Sequence, residues 1–416
     1  MNNSIGNKAS AGNVFWAIYC FPYIMMTLLP SLKYSISYIV AGSFGLFAVL
    51  LIFFKRYDLR NRIGIIAILG TVVGILAFIL GNAGANDIAN TPINYLRFLL
   101  PSLLLLNVTG LKRKAQWLVW FFSALILFYV AYTTWRATAE NPMIARLLAS
   151  GSDDSVLTMY RLNNIGGFEI CYAIGMTFSA WVALAFDCKK RIIKLIFVFL
   201  AIITFVFVIS VQYMTLLLLC LLSVFVVLIK RPGNALSKIV FVVIAMVMFF
   251  SMSTILRWIA ETGVESQIYS KLIHMADFFD GNSSITETTS RALLYKSAFL
   301  EFLSSPIWGV AQSRHAAVSH STILGIACNT GIIGLMVYAF LIKSCYLVTK
   351  SILQEYNITL STYYVTFISF VVLLFLNPIQ YSYEISFVVF MFIPLTLILF
   401  YGYFEGGNER NESVEN

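Results

Sequence analysis

Charge is what this sequence has least of: only 11% of its 416 residues are Asp, Glu, Lys or Arg, and histidine occurs three times. A soluble chain of this length needs more polar surface than a composition that is 60% hydrophobic can supply, and the mean hydropathy of +0.85 points the same way. Thiol chemistry is missing too. The six cysteines (Cys20, Cys171, Cys188, Cys220, Cys328 and Cys345) lie in apolar runs or at their ends, with no CxxC spacing, so neither a disulfide framework nor a zinc site is indicated. Heptads, short-period repeats and low-complexity tracts are lacking. No convincing small-residue cleavage site follows the first apolar run, which therefore reads as a retained helix rather than a signal peptide.

What is present is a series of long apolar runs. A hydrocarbon core about 30 Å thick takes about 20 apolar residues per helix. Twelve runs approach that length: 13–32, 36–54, 63–81, 95–110, 117–134, 166–187, 192–210, 212–229, 237–256, 330–348, 359–376 and 384–403. The expected fold is therefore all-α and polytopic, with about twelve transmembrane helices in a single domain spanning 1–416. Basic residues orient it. With the N-terminus in the cytoplasm, eighteen Lys and Arg residues fall inside and ten outside, every short inner loop is basic, and both termini are cytoplasmic.

The ten outer basic residues have a bias of their own. Seven are arginines (Arg97, Arg136, Arg146, Arg161, Arg257, Arg291 and Arg314) and three are lysines (Lys33, Lys271 and Lys296), whereas lysine leads inside by eleven to seven. Topology is served by either residue, but a planar fork that grips phosphate at two points is served better by arginine. The plain alternative for any one of them is snorkelling to lipid headgroups. Three outer connections have room for a site: 82–95, 135–165 and 257–329, the last two lying before the sixth and tenth helices.

Within 257–329, "TTSRALLYKSAFLEFLSSP" predicts an amphipathic helix with a Ser/Thr start and a Ser-Ser-Pro stop. Arg291 is expected in its first turn, where the helix dipole disfavours a cation, which points to an external anion; pairing with Glu287 is the alternative. After Pro306 the chain reads "IWGVAQSRHAAVSHSTIL", so Arg314, His315 and His320 stand together before a helical stretch that enters the membrane at "GIIGLMVYAFLI". Histidine near neutral pH can accept a proton or donate a hydrogen bond. Glu169, one turn into the sixth run, is costly there and calls for a partner, a site arginine or an acceptor group. Arg97, at the outer end of the fourth run, can touch lipid pyrophosphate or snorkel. Asp153 and Asp154 in "GSDDS" could hold a cation, but adjacent acids in a Gly/Ser-rich loop are more commonly solvated, and no metal site is expected.

The pattern R-x-x-x-Y-x-x-A ending in "PIWGV" (Arg291, Tyr295, Ala298), followed by "HSTIL" and "NTGIIGL", resembles the signature region of the O-antigen polymerase and ligase family. The best-matched part covers about 290–342, with looser agreement at "MYRLNNIGGFE", where Arg161 precedes a glycine-containing helix start. Family ligases carry His-Asn where this chain has His320-Ser321, and a family arginine after the seventh helix is replaced by "VISVQYMTLL"; Arg257 or Arg314 then stands in for it.

The resemblance implies a GT-C-like membrane glycosyltransferase without cofactor or metal, working at the periplasmic face of the bacterial inner membrane. Its donor and acceptor would be glycans on undecaprenyl pyrophosphate, with membrane lipids around it, room for a chain-length-regulating copolymerase, and no nucleic-acid partner. The chemistry suits the residues. A departing pyrophosphate develops negative charge, which Arg161, Arg291 and Arg314 would stabilise, with Arg97 and Arg257 as further contacts. The acceptor hydroxyl loses a proton, and His320 would take it. Ser321 would orient the ring or the sugar, and His315, Tyr295 and Glu169 would contact substrate. Transfer would be inverting. The alternatives are the ligase, which moves a finished chain onto lipid A core, and a transporter of lipid-linked sugars. A transporter needs charges through the membrane midplane and two similar halves, and neither is found here.

Overall fold

The computed structural model describes residues 20–35, 72, 90–141, 144, 148, 154–188, 190–211, 213–230, 243, 247, 251–261, 273, 276–277, 286–310, 321–358, 360–377, 379 and 382–400. Among the described residues the chain is all-helical. In order come α1 (Pro30–Ser35), α2 (Asn90–Val108), α3 (Arg113–Glu140), α4 (Asp154–Leu162), α5 (Phe168–Asp187), α6 (Arg191–Val211) and α7 (Met214–Lys230). They are followed by α8 (Met252–Glu261), α9 (Thr286–Ser304), α10 (Thr322–Glu355) and α11 (Leu360–Leu376). The last, α12, runs from Tyr383 to Leu399 through a π-helical turn at Val388–Phe392.

Four helices (α3, α5, α6 and α10) are long and apolar enough to cross a membrane, and shorter apolar helices cover 98–108, 215–227, 363–376 and 383–399. These eight coincide with runs expected from the sequence. The runs at 36–54 and 63–81, apart from Val72, and most of 237–256 lie outside the described residues.

The bundle has its apolar surface on both sides. α5 is buried from Ile170 to Ala185 and packs against α6, α7, α11 and α12, while α12 is buried along almost its whole length. On α3, by contrast, Leu118, Phe121, Leu125, Phe128, Tyr132 and Trp135 form an exposed stripe at helical spacing. α6 shows the same through Ile192, Ile196, Phe199, Ile203 and Val206. Large aliphatic and aromatic stripes facing outward from a packed interior are what a hydrocarbon solvent requires and water penalises.

With little hydrophobic force between helices in lipid, small polar side chains join them. Ser179 and Thr366 share a hydrogen bond of 2.8 Å, Ser223 and Ser369 one of 3.1 Å, and the Trp120 indole N–H donates to Thr396 at 2.8 Å. At the end of the bundle predicted to be cytoplasmic, the Arg113 guanidinium donates to the Leu399 carbonyl at 3.2 Å, a cation on a helix C-terminus. All six cysteines are buried and unpaired.

α10 is broken rather than continuous. Gly331 has φ +64°, and the chain after α9 folds back along the break: the Ile332 N–H donates to the Pro306 carbonyl at 2.9 Å and the Val310 N–H to that of Cys328 at 2.7 Å. A Cβ on Gly331 would overlap the Ile307 carbonyl, and one on Gly309 (φ +72°) would overlap the Asn329 backbone. The glycines of "PIWGV" and "NTGIIGL" are thus two halves of one close backbone contact.

Candidate functional site

The most heavily charged cluster with described side chains lies where three helix ends meet. The Lys33 ammonium, on α1, donates to Glu169 Oε2 at 2.5 Å and to Glu384 Oε1 at 2.7 Å, and stands 5.6 Å from the centre of the Tyr383 ring. Glu384 is 1% exposed, Lys33 27% and Glu169 39%, so the cluster is sealed on the Glu384 side and open on the Glu169 side. Both acids occupy first turns, of α5 and α12, where the helix dipole favours a carboxylate. Ser382 completes the arrangement: it caps α12 by accepting from the Ile385 N–H and donates to Glu384 Oε2, each at 3.3 Å. In the predicted topology all three helix ends are the outer ones.

Local hydrogen bonds explain how so short a helix as α1 holds Lys33 in place. The Ser31 N–H donates to Asn164 Oδ1 at 3.1 Å, Thr133 donates to the Asn164 carbonyl at 2.8 Å, and the Gly166 N–H donates to Thr134 at 2.7 Å. Asn164 takes φ +55°, a left-handed conformation that asparagine tolerates better than most residues. The segment "MYRLNNIGGFE" is therefore a turn that docks α4 onto α1 and delivers Glu169 to Lys33. Arg161, half-buried in the last turn of α4, precedes Asn164 by three residues, so the structure brings its helix to the Lys33 cluster.

A second arm leads to the same place from α10. Ser321 is buried and caps the helix, accepting from the Leu324 N–H at 3.4 Å. Thr322 donates to the Asn377 carbonyl twice, from N at 3.0 Å and from Oγ1 at 2.7 Å, and its hydroxyl accepts from the Ile379 N–H at 2.8 Å. The Ser382 N–H then donates to the Ile379 carbonyl at 3.1 Å. The start of α10 is thus stitched, through 377–382, to the cap of the helix bearing Glu384.

α9 lies along the first part of α10. The Cys328 thiol donates to the Ala298 carbonyl at 2.8 Å, with Leu294, Phe302 and Leu324 packed around it. Because Pro306 then meets Ile332, the two helices run in the same direction. Arg291 precedes Ala298 and Ser321 precedes Cys328 by seven residues each, about 10 Å of helix, so both stand on the same side of that contact. The helix begins at Thr286, earlier than expected, which makes Arg291 its sixth residue. The argument from a first-turn cation therefore does not apply, since the dipole fades after that turn. Tyr295, one turn further on, is half-buried.

The remaining sequence candidates are placed as follows. Arg314, His315 and His320 lie outside the described residues, as do the side chains of Arg291 on α9 and Arg97 on α2. Arg257, on α8, donates to Asp277 at 2.6 Å and so has a carboxylate partner of its own. Glu169 has its partner, a lysine rather than an arginine. Glu384 was missed by sequence reasoning, although an acid in the first turn of an apolar run is the same signal that singled out Glu169. Among the described residues no group of three His, Cys, Asp or Glu side chains is placed to hold a metal ion. Compared with known protein families and with curated proteins, the chain matches none.

Chemically, the arrangement combines a half-open Lys–Glu pair, a buried carboxylate that fixes it, and a capped helix start immediately after a histidine. It can accept hydrogen bonds from hydroxyls at Glu169 and hold a cationic and an anionic group at fixed separation.

Proposed function

We propose that the chain is a polytopic inner-membrane glycosyltransferase that polymerises undecaprenyl-pyrophosphate-linked oligosaccharide repeat units into a surface polysaccharide, at the periplasmic face. One observation carries the reading. The helix that starts directly after His320 is capped and stitched to the Lys33–Glu169–Glu384 cluster, while the helix bearing Arg291 lies along it and the helix bearing Arg161 docks onto α1. Helices that carry, or follow, residues singled out in the sequence are thus linked to one charged cluster directly or through a neighbouring helix, which supports the reading.

In this reading twelve helices place both termini in the cytoplasm, and 135–165 and 257–329 form the periplasmic active-site region. The acceptor oxygen bonds to the anomeric carbon as the bond from that carbon to the pyrophosphate oxygen breaks, with inversion. Its proton passes to His320. The electron pair leaves with the pyrophosphate, whose developing charge Arg161, Arg291 and Arg314 stabilise. Ser321, as the helix cap, holds the backbone beside His320 rigid.

The surface glycan of a deletion strain tests the proposal. Lipid A core carrying one repeat unit is the expected result. Bare core would assign the chain to ligation instead, and an unchanged glycan would remove it from this process altogether.

A further inference from the structure

Buried polar groups in folded proteins find partners, so an unpaired one calls for an explanation. Among the described residues, one buried side-chain amide is such a case. Asn377 is 8% exposed, and its Nδ2 has no hydrogen-bond partner. A primary amide carries two donors in a fixed plane, and leaving them dry is more costly than an unpaired hydroxyl.

Its position separates it from an accident of packing. Asn377 ends α11 at the outer side, and its own carbonyl receives both bonds from Thr322, the second residue after His320. It also opens the loop that leads to Ser382 and Glu384. The backbone of Asn377 thus holds together the helix start and the charged cluster, while its side chain takes no part in that work. An apolar residue would fill the same place at lower cost.

We infer that Asn377 contacts substrate: its side-chain amide donates a hydrogen bond to an oxygen of the molecule bound at the start of α10. This deepens the proposed function and rests on it. Two oxygens of that substrate class could serve, a phosphate oxygen of the lipid pyrophosphate or a hydroxyl of the acceptor sugar.

Three variants of the full-length protein in lipid nanodiscs, Asn377→Leu, Asn377→Asp and Asn377→Ala, separate the possibilities. Thermal midpoint, binding of undecaprenyl pyrophosphate, and polymerisation of a lipid-linked repeat unit are measured for each. Since no internal bond is lost, the midpoint should stay at or above the wild-type value in Asn377→Leu, or in Asn377→Ala should the leucine branch not fit. Turnover should fall about tenfold or more, as expected for one lost hydrogen bond to a charged or buried group. A phosphate contact shows as weaker binding of undecaprenyl pyrophosphate in all three, worst in Asn377→Asp, where like charges meet. A sugar contact leaves that binding unchanged, raises KM for the acceptor in the leucine and alanine variants, and spares Asn377→Asp, whose carboxylate accepts from the hydroxyl. Unchanged turnover and binding in every variant would overturn the inference, and so would a parallel loss of stability and activity, the mark of an internal partner. Failure of the wild-type protein to polymerise would instead overturn the proposed function.

Discussion

Replacing Lys33 by methionine keeps the length of the side chain and removes the one cation that two carboxylates share. At an effective dielectric near 20, each contact of 2.5–2.7 Å carries on the order of 6 kcal/mol of attraction before desolvation is counted. The Glu169 part is discounted heavily, because a carboxylate that is 39% exposed is screened by solvent. The Glu384 part is not, since that group is 1% exposed. Breaking a buried pair by removing one partner costs about 3–5 kcal/mol, mostly the burden of the charge left behind. The thermal midpoint of purified Lys33→Met should therefore fall by roughly 5 °C or more. Glu384→Gln alone should cost much less, because Lys33 keeps Glu169. The informative variant is the double one: Lys33→Met with Glu384→Gln removes the stranded buried charge and should recover most of the loss. A midpoint for Lys33→Met indistinguishable from wild type, or a double variant no better than the single, would refute the account of the cluster as a charge-balanced unit.

Gly331→Ala should lower the yield of folded protein sharply, since the added methyl meets the Ile307 carbonyl and the left-handed backbone itself costs an L-residue about 1–2 kcal/mol; size-exclusion profiles in detergent report it. His320→Ala should reduce polymer formation by about 10²–10⁴ while membrane insertion and donor binding persist; near-normal turnover would end the assignment of a base there. Single cysteines at 150 and 285 should be labelled by an impermeant reagent from the periplasmic side and one at 407 should not, the pattern required by two cytoplasmic termini.

Most helices were legible in the sequence because a lipid-facing segment must be apolar over its whole length, whatever it packs against. Their limits were not. The run expected at 330–348 belongs to a helix covering Thr322–Glu355, because Asn329, Thr330 and Gly331 look like a polar boundary when read in isolation. In the fold those residues are the middle of a broken helix, and the loop after α9 bonds to the backbone on either side of them, at Cys328 and Ile332. Hydropathy cannot see a boundary erased by tertiary contact. Glu169 was flagged correctly as needing a partner, but which partner depends on residues 136 positions before it and 215 after it, and nothing local connects them. Lys33 was read only as an outer basic residue for the same reason. Ser321 was expected to orient a ring or a sugar; what the fold shows of it is a helix cap, accepting from the Leu324 N–H, a role that hydropathy does not reveal.

The three-way contact also sets a schedule for making the protein. Glu384 is translated 351 residues after Lys33, an interval of about 20–70 s at ordinary elongation rates. Until Glu384 is made, Lys33 has only Glu169 to meet, and that only once Glu169 has followed it by 136 residues; the loop 377–382 cannot yet tie Thr322 to the cap of α12. The end of the bundle that holds this cluster is therefore completed last, by α12, and a chain cut short after α11 leaves it without its buried carboxylate. An unfinished product of this kind leaves Lys33 with one carboxylate instead of two, so the charge balance at this end of the bundle closes only when the last helix has been made.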